Sequence, residues 1–229
     1  MNILALELSS RQGSLAVLSK DILLAECELS EEVRRGSGLF RLLPDLCARA
    51  GVGLEALDLL VPGRGPGAYT GLRLALTVAQ VVALPGRRTV YPVSSGEALA
   101  WEIAQERSAR LVAVLDDARR GKLWMGLFEQ SPEGMQCRLP WTLATPDEVA
   151  RLVPDGVVLV SPNWNNLSAR PEFAPIQQAN WIEEDRPPRA RWVGALAWSR
   201  FSANVPPEPP TPIYMHPAVS PPAPADGRR

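Results

Sequence analysis

A glycine-rich run between an apolar strand and an apolar helix constrains this chain more than any other feature. Residues 63–73 read Gly-Arg-Gly-Pro-Gly-Ala-Tyr-Thr-Gly-Leu-Arg and follow a strand predicted at Leu57–Val61. Glycine reaches positive φ and lets other backbone approach closely, whereas proline fixes φ. A strand, a glycine loop and a helix in this order fit either a phosphate cradle or a helix that meets a partner.

The helix predicted after this loop, Gly71–Ala83, is almost free of charge. Thr70 is expected to cap it, because a threonine hydroxyl can accept an N–H of the first helical turn. Its polar positions are Arg73, Thr77 and Gln80. A helix that is apolar nearly all round is buried, either in the core or against another chain.

The remaining hydrophobic pattern predicts alternating strands and helices. Strands are predicted at Asn2–Leu8, Ser14–Ser19, Ile22–Leu29, Thr89–Val93, Leu111–Leu115, Lys122–Gln130, Gly134–Trp141 and Val157–Val160. Helices are predicted at Leu39–Ala50, Ser95–Arg107 with Ser94 or Ser95 as cap, Pro146–Leu152 and Arg191–Ala203. This order indicates a layered α/β protein.

The end of the chain is dense in proline, from Pro206 to Pro224. Such density precludes helix and sheet, so residues 206–229 are predicted to form an extended arm with a disordered end. The only histidine, His216, lies in this arm and is expected to be solvated. A Ser-His-Asp or Cys-His system therefore has no base in the folded body.

Composition narrows the class of protein. The 229 residues are 46% hydrophobic, enough for a sizeable core, and a net charge of −1 gives no electrostatic footprint for nucleic acid. Three scattered cysteines make no disulfide framework, and no His or Cys spacing suits a metal. With no signal peptide and no membrane-length apolar stretch in the sequence, we expect a cytoplasmic protein without a cofactor.

Five ordered blocks carry a family resemblance: Gly63–Ala79, Asn2–Ser10, Pro92–Ala100, Leu115–Trp124 and Pro212–Met215. Together they resemble the bacterial TsaB family, also called YeaZ. Some positions depart from the family pattern, so the chain resembles a divergent member. Glu7 replaces Asp, Ala68 and Tyr69 replace Ser-Phe, and the segment around Ser37 lacks a His-Ser pair.

The resemblance implies an α/β fold of the actin-like, Hsp70-like (ASKHA) type, duplicated in two unequal subdomains. Residues 1–108 would form the first subdomain, residues 109–205 a smaller second one, and residues 206–229 the proline-rich arm. It also implies a non-catalytic scaffold or activator in N6-threonylcarbamoylation of adenosine 37 in transfer RNAs that read codons beginning with A. Catalysis would belong to the paralogue TsaD. A TsaE-like ATPase would be a further partner, the chain alone would form a homodimer, and transfer RNA would be met only through the complex.

The apolar stripes of the two N-terminal helices are the expected interface. Most of these side chains should be core, and a minority should remain exposed for a partner. By resemblance, the contact set is Leu39, Leu42, Leu43, Leu46, Tyr69, Arg73, Leu74 and Thr77, with Val81 at its margin.

Two alternatives remain open at this level. A nucleotide-binding ATPase, or a peptidase-like enzyme, could use Glu7, Ser9, Ser10 and Gly13, which stand where nucleotide-binding relatives have their first phosphate hairpin. Against it, the glycine loop lacks the G-x-x-x-x-G-K-[ST] pattern, and Glu7 can be a strand-end acid that caps a turn. Asp116 and Asp117 cannot converge on one metal ion, because neighbours on a strand face opposite ways. A free-standing homodimer with another regulatory role is the second alternative.

Overall fold

The computed structural model describes residues 1–30, 38–132, 134–176 and 179–216. The predicted loop at Arg34–Gly38, apart from Gly38 itself, lies outside these residues, as do the Ser37 departure and the tail from Pro217 onward.

The described elements alternate as the sequence predicts, with ends that shift by a few residues. The strands are β1 (Asn2–Glu7), β2 (Gly13–Ser19), β3 (Ile22–Leu29), β4 (Leu59–Pro62), β5 (Thr89–Val90), β6 (Leu111–Arg119), β7 (Lys122–Ser131), β8 (Gly134–Ala144) and β9 (Val158–Val160). The α-helices are α1 (Gly38–Arg49), α2 (Tyr69–Ala83), α3 (Ser95–Arg107), α4 (Pro146–Leu152), α5 (Trp164–Ser168) and α6 (Ala190–Ser202).

Two sheets repeat one topology. The first has the order β3-β2-β1-β4-β5, in which β1, β2 and β3 are antiparallel and β4 and β5 run parallel to β1. The second has the order β8-β7-β6-β9, again with an antiparallel trio and a parallel fourth strand. The repeated pattern confirms the predicted duplicated actin-like fold, although the sequence itself shows no repeat.

The elements stack in layers. Helices α1 and α2 pack on one face of the first sheet, and α3 and α6 contact its other face. Helix α3 also packs on the second sheet, whose far face is covered by α4, α5 and the 3-10 turn Pro171–Ile176. Because both sheets cover α3, it has no polar face, and even Glu97 and Glu102 on it are buried.

Two ion pairs to buried carboxylates tie this middle layer together. The Arg200 guanidinium in α6 donates to the Glu97 carboxylate, and Arg189, just before α6, donates to Glu102. Helix α6 packs on β1 and β2 of the first sheet, although it follows the second sheet in sequence. The division at residues 1–108 and 109–205 stays a prediction.

Two local predictions are wrong. Thr70 does not cap α2: the helix begins at Tyr69, after Ala68 in an extended conformation, with no side-chain cap. The Ala68 N–H donates to the Ser9 carbonyl at 2.6 Å, and the helix starts two residues before the predicted Gly71. The second wrong prediction is the end of the strand at Leu111–Leu115. Strand β6 continues through Asp116 and Asp117, because its antiparallel pairing with β7 extends to Arg119.

The described part of the arm, residues 206–216, has no helix or strand, as predicted for this stretch. It nevertheless lies on the body: Ile213 donates its N–H to the Arg64 carbonyl at 2.8 Å. His216 is exposed, as expected for a solvated residue, but the expectation that it lies away from the body is wrong, because its Nε2 lies 2.5 Å from the Ala118 carbonyl oxygen. Among the described residues, no helix combines the length and apolar character needed to cross a bilayer.

Candidate partner-binding surface

The glycine loop is built for close packing on the end of β1. A Cβ atom at Gly71 would lie 1.9 Å from the Leu8 carbonyl oxygen, and one at Gly67 would lie 2.3 Å from that of Ser9. Only glycine lets backbone approach backbone this closely. The loop therefore seats the start of α2 directly on the first sheet.

Hydrogen bonds join the loop to the start of α3. The Gly65 N–H donates to Ser95 Oγ and the Ser94 hydroxyl donates to the Gly65 carbonyl, both at 3.0 Å. Ser94 is also the N-cap of α3, accepting the Glu97 N–H at 3.3 Å. Two of the five blocks that carry the family resemblance, Gly63–Ala79 and Pro92–Ala100, thus form one structural unit.

The candidate phosphate-binding residues bond within their own turn. Glu7 is fully buried, and its carboxylate accepts the Ser9 N–H at 2.6 Å. The Ser10 hydroxyl donates to the Gln12 carbonyl at 2.8 Å, and Gly13 pairs with Leu29 inside the sheet. Glu7 is thus a strand-end acid that caps a turn.

The paired acids on β6 have separate surroundings. The Asp117 carboxylate accepts the Arg119 N–H at 2.8 Å and pairs with Arg170 at 2.9 Å. Asp116 instead accepts the Asp117 N–H at 2.7 Å. Burial raises the pKa of the Asp116 carboxyl to about 7, and the neighbouring Asp117 charge adds to that rise. In the described part of the chain, no group of three His, Cys, Asp or Glu side chains is placed to hold a metal ion.

Helix α2 carries an outward stripe along its whole length. Its exposed positions recur at helical spacing: Tyr69, Arg73, Thr77, Val81 and, just past the helix, Leu84. Tyr69 is 53% exposed, Val81 45% and Leu84 73%. Of the expected contact set, Arg73, Thr77 and Val81 are exposed on this face, whereas Leu74 is half-buried against the core.

Helix α1 contributes less surface than predicted. Leu39, Leu43 and Leu46 are almost fully buried in the core between α1, α2 and the first sheet, so their assignment to an exposed interface is wrong. Leu42 is half-buried and packs on the same core. The physical reason is that the leucine spacing of α1 matches the stripe needed to cover one sheet face.

A cluster of three side chains caps the N-terminal end of the α2 stripe. The Arg73 guanidinium carbon lies 4.1 Å from the centre of the Tyr69 ring, and Arg73 Nε donates to the Tyr214 hydroxyl at 2.8 Å. The Tyr69 and Tyr214 rings are stacked with centroids 5.1 Å apart. Sequence reasoning named Tyr69 and Arg73 for the surface but not Tyr214, although the block Pro212–Met215 carried the signal.

Comparison with known proteins places this architecture in a family. The family model described as TsaD, tRNA N6-adenosine threonylcarbamoyltransferase, matches residues 37–157, just over half of the chain. The tRNA threonylcarbamoyladenosine biosynthesis protein TsaB of Bacillus subtilis is 34% identical over 133 residues, which are 56% of this chain and 56% of that protein. TsaB of Haemophilus influenzae is 31% identical over 127 residues, 54% of this chain and 52% of that protein.

The chain spans about half the length of the curated relatives that it matches. The structural match is longer: YeaZ from Pseudomonas aeruginosa superposes with a TM-score of 0.78 at 27% identity, covering 93% of this chain and 99% of that one. The matched blocks, the glycine loop seated on the first sheet and the duplicated topology agree with one another. The chain belongs to the TsaB (YeaZ) family.

Proposed function

We propose that this chain is a scaffold or activator subunit without a catalytic step of its own. Its pathway would be N6-threonylcarbamoylation of adenosine 37 in transfer RNAs that read codons beginning with A. The transfer itself would be performed by a TsaD-like partner, which would hold any metal and the activated donor. This role would place the chain in the cytoplasm, where such transfer RNAs are modified.

The exposed stripe of α2 is the observation that carries the proposal. The inner face of α2 is covered by the first sheet, yet Tyr69, Val81 and Leu84 stay about half or more exposed at regular helical spacing. Exposed apolar side chains that share one helix face with Arg73 and Thr77 suit a surface that another chain covers. Tyrosine and arginine, both at its N-terminal end, are the residue types enriched at interface hot spots.

The match of this chain to the TsaD family model supports a TsaD-like partner. The TsaD family model matches a segment that includes α1, α2 and α3, so a TsaD-like protein shares these helices. Two chains of like fold can pair their equivalent helices about a pseudo-twofold axis. The same surface would let the chain pair with itself when the partner is missing. A TsaE-like ATPase would join this pair. Because the net charge of the chain is −1, it would contact transfer RNA only through the complex.

The local chemistry supports a non-catalytic role over the ATPase alternative. The Ser9 N–H is bonded to Glu7 and the Ser10 hydroxyl to Gln12, so these groups are engaged within the turn. A nucleotide titration of the isolated chain tests that alternative directly. Saturable binding of ATP together with hydrolysis that Glu7→Gln abolishes would favour the enzyme.

A matched pair of variants tests the surface. Val81→Glu places a charge on the α2 stripe at a residue that is 45% exposed, and Leu152→Glu places one on α4 at a residue that is 43% exposed. We expect Val81→Glu to weaken binding of the organism's own TsaD-like protein by tenfold or more, since an unpaired charge would be desolvated at the contact. Leu152→Glu should bind as the unaltered chain does.

Affinity is measured by calorimetry with purified partner, and folding of both variants is checked by circular dichroism. Equal binding by folded Val81→Glu and Leu152→Glu would remove α2 from the interface. An unaltered chain that does not bind the TsaD-like protein at all would remove the proposed function.

A further inference from the structure

The arm of residues 206–216 crosses the glycine loop, passes the start of α2 with Tyr214 and reaches the second sheet with Met215 and His216. Near its beginning, Arg64 of the loop pairs with the Glu208 carboxylate, and further on the Arg64 carbonyl accepts the Ile213 N–H at 2.8 Å. Met215 packs on the core between α3 and the second sheet. Contacts on both sides of Tyr214 thus fix where its side chain lies.

Tyr214 extends the outer surface of α2 instead of covering it. It stacks on Tyr69 and accepts from Arg73, yet Tyr214 stays 43% exposed and Tyr69 53% exposed. Two rings that lie against each other with their outer parts in water form one continuous aromatic patch. An occluding strap would instead have left Tyr69 buried.

Arg73 has no acidic partner among the residues that the structure describes. In the described residues no carboxylate forms an ion pair with it, and its contacts are the two tyrosines. The two tyrosines therefore hold the guanidinium in place, and no carboxylate of the described residues neutralises its charge. A cation fixed in this way, at the N-terminal end of the exposed α2 stripe, suits a partner helix that carries a carboxylate at one end of its contact face.

We infer that the partner-binding surface is composite: Tyr214 of the arm, together with Tyr69 and Arg73, forms its anchor, and the anchor receives an acidic side chain of the TsaD-like partner. This inference rests on the proposed function. The arm thus acts as a preorganised part of the interface, since proline-rich backbone loses little freedom on binding.

The test titrates the TsaD-like protein with the full chain and three variants by calorimetry. Tyr214→Ala removes the ring, and we expect binding to weaken by about tenfold or more. Tyr214→Phe keeps the ring and loses the Arg73 hydrogen bond, so its loss should be smaller. Arg73→Gln should weaken binding and reduce its dependence on salt, because the ion pair with the partner is gone.

A chain cut after Met215 is the matched control, because it keeps Tyr214 and should bind as the full chain does. Thermal melts of all forms check that the body stays folded. Unchanged binding by Tyr214→Ala would overturn the composite surface while leaving the proposed function in place. Tighter binding by Tyr214→Ala would overturn it too, since the arm would then be a cover. Failure of the full chain to bind would overturn both.

Discussion

At the scale of single residues, Gly71 decides how closely α2 approaches β1. Replacing a helical glycine by alanine ordinarily stabilises a protein by about 0.5–1 kcal/mol. Here the new Cβ would meet the Leu8 carbonyl oxygen at 1.9 Å, so the helix or the strand end must shift. We expect Gly71→Ala to lower the free energy of unfolding by about 1–3 kcal/mol, measured by denaturant titration.

The control for Gly71 lies in the same helix. Gln80 is exposed, so Gln80→Ala should leave the free energy of unfolding unchanged or raise it slightly through better helix propensity. A Gly71→Ala variant as stable as Gln80→Ala would mean that α2 does not depend on the close contact with β1.

At the scale of elements, α3 and α6 are joined by charges that burial makes costly. Burial raises the pKa of the Glu97 carboxyl to about 7, and the Arg200 charge opposes that rise. A carboxyl whose pKa is raised in the folded state binds its proton more tightly there than in the unfolded chain. Its contribution to stability is therefore greatest at low pH and falls as pH rises from about 4.5 to 7.

Removing the cation should sharpen this dependence. In Arg200→Met the ionised Glu97 would be buried without its opposing charge, which costs about 3–5 kcal/mol. The cost should be largest at pH 8 and smaller at pH 5, where Glu97 can take up a proton. Denaturant titrations at both pH values measure it, and Glu97→Gln/Arg200→Met should abolish the difference between them. A deficit that is the same at both pH values would show that Glu97 does not titrate in this range.

The sequence predicted the positions of the helices and strands, but it did not predict which helix faces are buried and which are exposed. Periodicity locates α1 and α2, because each must cover one face of a sheet. It cannot say that Leu39 and Leu43 meet the sheet while Tyr69 and Val81 face water, since both helices carry apolar residues around much of their circumference. Helix α3 is a related case: two sheets enclose it, so no amphipathic stripe marks its environment.

At the scale of the whole molecule, the arm links parts that are distant in sequence. The Tyr91 hydroxyl beside the first sheet donates to the Val205 carbonyl at 2.8 Å, where the arm begins. Met215 reaches the core beside the second sheet, and His216 reaches Ala118 at the end of β6. A sequence this rich in proline predicts extended backbone, but not these contacts, because polyproline conformation leaves the path of a segment to tertiary packing.

Two truncations separate the docked arm from the tail. A cut after Met215 removes the single His216 contact and residues 217–229, so the melting temperature should stay nearly unchanged. A cut after Val205 also removes the Glu208, Ile213, Tyr214 and Met215 contacts, and it should lower the melting temperature by several degrees, at about 2–4 °C for each kcal/mol lost. Thermal melts at one protein concentration compare the two. If both cuts leave the melting temperature unchanged, the arm is held too weakly to position Tyr214. If the cut after Met215 alone lowers the melting temperature strongly, His216 or the residues beyond it help to stabilise the body, and the tail is not dispensable.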